Sequence, residues 1–156
     1  MKSNLSCWNW KHPFRSIKYA YWRITRGFCP YDTWDWYTYM AQLIHDSLIY
    51  LADNHCGTMM EYENNDEGYA EKLKEIANII LNATDYEEKY DNPFRELYYK
   101  DLENVSLKNK SIDFSKTDKS LFNHYIFVEQ RNAKKATSDL KEAFTWIVDH
   151  WFDLWD

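Results

Sequence analysis

Apolar residues recur at steps of three and four along most of this chain, and that spacing predicts helices. The most regular run lies over 33–54, where Trp36, Met40, Leu43, Ile44, Leu48 and Leu51 share one stripe. Asp32 stands ahead of it as an N-cap, Asp35 adds negative charge to the first turn, and Gly57 follows its end. A second stripe of Tyr69, Leu73, Ile76, Ile80 and Ala83, widened by Ala77 and Ile79, predicts a helix from a cap at Asp66 to about Thr84. Upstream, Pro13 suits a first helical turn, Ile17, Ala20, Tyr21 and Ile24 keep helical spacing, and Gly27 is a C′ stop. These features predict a helix over 14–25, although the run IKYAYWRI also reads as a strand.

The second half is less regular. Residues 85–92 (DYEEKYDN) read as a helical continuation or a solvated link. Asn92 and Pro93 make a cap and first position for a short fourth helix holding Phe94, Leu97, Tyr98 and Leu102. Residues 104–117 show no compelling period and are expected to form a loop. From 118 onward runs a heptad-like seam: Phe122, Ile126, Glu129, Ala133, Ala136, Leu140, Ala143 or Phe144, Ile147, Trp151 and Leu154. Glu129 interrupts it. Unbroken over 118–153, such a helix would span roughly 54 Å. A bend near 130–132 or 137–138, or extension into a second subunit, accommodates that length. Residues 1–12, with Trp8 and Trp10, are expected to pack on the body as an N-terminal arm. The sum is one all-α domain over 1–156, a bundle of about four to five helices with a long C-terminal helix.

Composition agrees, because only 3 Gly and 3 Pro leave few turns for a sheet. Aromatic residues make up 19 % of the chain, which implies a core and interfaces first and a ligand site second. The net charge is -6 and no basic run exceeds a pair such as Lys134-Lys135, so general nucleic-acid binding is disfavoured. Cys7, Cys29 and Cys56 form no C-x-x-C pair and are odd in number, which points to a reducing compartment. No stretch resembles a signal peptide or an uninterrupted apolar span, so a cytoplasmic protein without membrane association is expected.

The chemistry is mostly exclusion. Gly27, Gly57 and Gly68 stand too far apart for a phosphate loop, and no G-x-S-x-G occurs. Cys29 reads as an ordinary buried thiol. His45, Asp46, Asp53 and His55 lack the E-x-x-H pairing of carboxylate-bridged metal bundles and read as a solvated face, so neither metal nor cofactor is implied. Glu71, Glu75, Glu87, Glu88 and Asp91 suit magnesium as all-helical nucleotide hydrolases hold it. Lys72 and Lys74 interleave with them, as on a salt-bridged surface. One cluster has more to offer. Arg23 and Arg26 lie three apart, with Trp22, Phe28, Tyr31 and Trp34 around them in sequence. Arginine grips carboxylate or phosphate and stacks on aromatic rings, so the six form a candidate ligand or partner site. The structural alternative pairs the arginines with Asp32 or Asp35 to set a helix–turn–helix corner, with Trp34 and Trp36 packed on the Trp-rich C-terminal end.

The pattern of Trp22, Arg26, Gly27, Phe28, Asp32 and Trp34, with Gly57 after the helix and a closing Leu154-Trp155-Asp156, resembles a group of small bacteriophage proteins. The likeness covers about residues 20–57 and the last dozen, and departs at Cys29-Pro30. It implies a phage-encoded protein in the host cytoplasm and assigns no activity. The expected function is a non-enzymatic accessory protein that binds a host or phage macromolecule, for example to counteract bacterial defence. A protein partner is expected before a small nucleotide. The alternatives are a metal-dependent nucleotide hydrolase and an assembly protein that self-associates through the C-terminal helix.

Overall fold

The structure, a computed structural model, describes residues 11–55, 57–63, 65–109 and 117–154. Among these residues there is no strand, and the chain is an all-α bundle. Helix α1 spans Pro13–Arg26, α2 Trp36–Asn54, α3 Asp66–Thr84, the single turn α4 Tyr86–Lys89, α5 Arg95–Asn109 and α6 Lys119–Asp149. Short 3-10 turns at Asp32–Asp35 and Met60–Tyr62 lead into the second and third helices.

Helix α3 is the centre. Its stripe of Tyr69, Leu73, Ile76, Ala77, Ile80 and Ala83 is buried, as the spacing predicts, and it packs against both α2 and α6. From α2 come Ala41, Leu48 and Ala52, and from α6 come Ala143 and Ile147. Small side chains at the crossing points let the backbones approach closely. Asn65, not Asp66, caps α3: its side-chain oxygen accepts the Gly68 N–H at 3.1 Å. Asp66 instead adds negative charge to the first turn.

The remaining boundaries follow local chemistry. Gly27 ends α1 in the left-handed conformation at φ 78°, and its N–H returns to the Arg23 carbonyl. Asn92 turns the chain before α5 by accepting the Phe94 N–H at 3.0 Å. Helix α5 then continues through Asn109, six residues into the stretch expected as a loop. The rest of that stretch, 110–116, lies outside the described residues, as does the N-terminal arm apart from Lys11 and His12.

Helix α6 runs 31 residues without a break, roughly 46 Å at the standard rise. The helix continues through 130–132 and 137–138, and its N-terminal half is rotated from the expected seam. Val128, Asn132 and Ala136 are buried, whereas Glu129 and Ala133 lie to one side. A polar cluster causes the offset. Arg95 donates to Glu129 Oε1 from Nε at 3.1 Å and Nη2 at 2.7 Å, and Asn92 Nδ2 reaches the same oxygen at 2.9 Å. Asn132 Nδ2 donates to the Asp91 carbonyl at 3.0 Å. The residue that interrupts the seam is thus the anchor of the α4–α5 turn. Nearby, burial and the Asp139 carboxylate, which accepts from the Tyr90 hydroxyl, push that phenol up to about 12. In the C-terminal half of the seam Ala136, Ala143 and Ile147 are buried and α6 packs against α3, whereas Phe144 is exposed.

Leu73 is fully buried between α2 and α6. Leu73→Ala is expected to cost about 2–5 kcal/mol, read as a lower urea midpoint with an unchanged slope.

Candidate functional site

The Arg–aromatic cluster sits where α1 turns into α2, and the turn is built around one carboxylate. Asp32 is buried, and its Oδ2 accepts the Arg23 Nε–H at 3.0 Å and the Cys29 N–H at 2.7 Å. Arg23 Nη2 closes a second, bidentate contact with Oδ1. Asp32 therefore does not cap α2, as its position suggests, but ties the end of α1 to the loop. Burial alone would raise its pKa. The Arg23 hydrogen bond, the Cys29 contacts and the Arg23 charge outweigh it and hold the carboxyl below its ordinary 3.8. The Tyr39 hydroxyl donates to the Gly27 carbonyl and adds a second tie from α2. Cys29 is fully buried, and that burial pushes its thiol up, away from the reactive thiolate.

The six candidate residues divide into three groups. Arg23 is committed to Asp32, with the two side chains 17 % and 3 % exposed, so the expected corner pairing holds for this arginine. Phe28 is half-buried and meets Trp36 edge-on at 6.3 Å, while Trp36 also touches Tyr39 at 6.0 Å. Trp36 thus lies against the corner on one side and stays 49 % exposed on the other. The other four residues face solvent or line the outer surface. Arg26 lies 4.2 Å over the Trp22 ring, Tyr31 is exposed, and Trp34 is 90 % exposed. Trp34 stands in solvent and does not pack on the C-terminal end.

Two tyrosines complete the surface, and the sequence reading passed over both. Tyr19 stacks on Tyr31 at 6.4 Å. It falls three before Trp22 and seven before Arg26, so helical spacing alone places Arg15, Tyr19, Trp22 and Arg26 on one face. Tyr39 carries the second signal, one turn into α2 from Trp36. The result is an aromatic corner tied by the Arg23–Asp32 pair and the Tyr39–Gly27 bond, with the Arg26 guanidinium stacked on the Trp22 indole. With Arg23 neutralised by Asp32, a two-arginine anion clamp is not assembled.

Of the acidic groups considered for magnesium, Glu75 pairs with a lysine, and Asp53 and Asp46 of the His45–His55 group are paired as well. Lys72 meets Glu75 at 2.8 Å and Lys74 meets Asp53 at 2.7 Å. His45 lies 2.9 Å from its neighbour Asp46. Among the described residues no three His, Cys, Asp or Glu side chains gather in a cation-binding group. No helix of the described residues is long and apolar enough to cross a membrane. No protein-family model, curated protein or solved structure matches the chain.

The depressed Asp32 pKa has a definite sign. Its contribution to stability is complete above the unfolded value of 3.8 and is lost as pH falls through the lower folded value. Asp32→Asn, which strands Arg23, is expected to cost on the order of 3 kcal/mol at neutral pH. Urea unfolding should show the gap between wild type and variant closing only in strong acid.

Proposed function

We propose that this chain is a non-enzymatic bacteriophage accessory protein that binds a host or phage protein through the aromatic corner, with a component of bacterial defence as the class of target. One observation carries the reading: Trp34 is nearly fully exposed beside Tyr31 on a corner held rigid by Asp32. Exposing an indole to water is unfavourable unless something covers it, and Trp, Tyr and Arg are the residue types that dominate binding hot spots. Rigidity lowers the entropy lost on binding. The Trp22–Arg26 pair supplies a cation beside the rings, suited to a carboxylate on the partner. The phage setting rests on the Arg26-Gly27-Phe28 to Asp32-x-Trp34 resemblance, and a cytoplasmic location goes with it.

The test is retention of a partner from phage-infected bacterial lysate by wild type and by Trp34→Ala/Tyr31→Ala. A protein held in stoichiometric amount by wild type should fall at least tenfold on the variant. Equal retention by both, or none by wild type, overturns the reading. A melting-temperature rise with magnesium or manganese and a nucleotide, accompanied by its hydrolysis, would assign the chain to the enzyme alternative instead.

A further inference from the structure

Helix α1 is turned inside out. Phe14, Ile17, Tyr21 and Ile24 follow steps of three, four and three, two heptads of a coiled-coil seam. They face solvent, with Phe14 86 % and Ile24 84 % exposed, while Ser16 and Arg23 turn inward. Among the described residues α1 has no extended packing against another helix.

Helix α2 presents a matching line on the side away from the core. Trp36, Leu43 and Tyr50 are exposed at intervals of seven, and Asp46 and Asp53 fall between and after them on the same line. Read in opposite directions, the two helices correspond. Phe14, Lys18 and Tyr21 of α1 stand against Tyr50, Asp46 and Leu43 of α2, and Lys11 falls opposite Asp53. Two of these pairs join apolar residues and two join a lysine to an aspartate; in the same register Ile24 faces Met40 and Ile17 faces Ser47.

The charges select among occupants. Helix α1 carries Arg15, Lys18, Arg23 and Arg26 and no acid, so two α1 helices would bring only like charges together. All 25 acidic residues lie from Asp32 onward, so the rest of the chain is repelled by an anionic bilayer and attracted by α1. The corner decides which α2 is met. Gly27, the Arg23–Asp32 pair, the Tyr39–Gly27 bond and the Tyr19–Tyr31 stack hold α1 with its seam outward from its own body.

We propose that the exposed seam of α1 docks antiparallel on the outer line of α2 in a second copy, reciprocally, forming a twofold dimer by helix exchange. A two-helix contact alone falls short of the roughly 1,200 Å² of a stable interface, and twofold symmetry supplies it twice. Asp46 and Asp53 already touch His45 and Lys74 through Oδ1, and both side chains remain about half exposed to receive a lysine. Tyr31 and Trp34 take no part, so the dimer stands or falls separately from partner binding.

Light scattering coupled to size exclusion at tens of micromolar should give twice the 19.0 kDa chain mass. Lys18→Asp and Asp46→Lys, each alone, should shift the chain to monomer, with helicity checked by circular dichroism. Mixing the two variant chains should restore the dimer, because every Lys18–Asp46 contact is then complementary across the pair. A monomeric wild type overturns the proposal. So does a dimer indifferent to Asp46→Lys, which would pair α1 with α1. Failure of the mixture to reassociate, with the Lys18→Asp/Asp46→Lys chain stable alone, places the contact within one chain and overturns it too.

Discussion

The constraint on which the rest depends is that α3 is enclosed by one apolar face of each neighbour. Its stripe is sealed by α2 on one flank and α6 on the other, and the small residues Ala41, Ala52 and Ala143 bring the three helices into close contact. Once that core is closed, it has no side left for α1. A helix as amphipathic as α1 gains little in water unless its apolar stripe is covered. The fold therefore secures α1 by other means: a glycine stop, a buried carboxylate and two tyrosine contacts at the corner. Polar ties hold the helix in place, and its apolar stripe stays outside.

The Asp32 carboxylate is what makes this arrangement definite. A buried carboxylate without donors would be costly, whereas three N–H donors and a guanidinium charge stabilise it. The same contacts remove Arg23 from any role with an anion and leave Arg26, stacked on Trp22, as the outward cation. Structure and candidate function are thus divided between two arginines three residues apart.

Much of the bundle was legible in the sequence. The α3 stripe and the Gly27 stop were readable because each rests on local rules, helical period and backbone freedom. The α1 boundaries followed for the same reason, and the strand alternative for that run is not realised. What failed depends on long-range partners. Helical spacing shows that Phe14, Ile17, Tyr21 and Ile24 share a face, but not whether that face meets a core. Glu129 looked like a break in the α6 seam because its partners, Asn92 and Arg95, lie 37 and 34 residues away. Asp32 looked like a helix cap because Asp before an apolar run usually is one. Its actual donors, Arg23 and Cys29, precede it. In the candidate site the residue types were readable, and the division into buried and displayed members was not.

The aromatic excess has a consistent explanation in these terms. The centre of the core is largely aliphatic and small, built from Leu48, Leu73, Ile76, Ile80, Ile147 and alanines together with Tyr69, while the other buried ring among the described residues, Tyr98, lies outside that cluster. Many of the rings lie outside it: Phe14 and Tyr21 on α1, Tyr31 and Trp34 at the corner, Trp36 and Tyr50 along α2. A chain selected only to fold would gain more by placing those large surfaces inside, where each would remove 150–250 Å² from water. Tyrosine and tryptophan on a surface suit a different constraint, contact that is made and unmade, because they bury large area with few rotatable bonds and keep a polar edge for water. The core holds the helices together without them, which leaves the aromatic residues free to serve association.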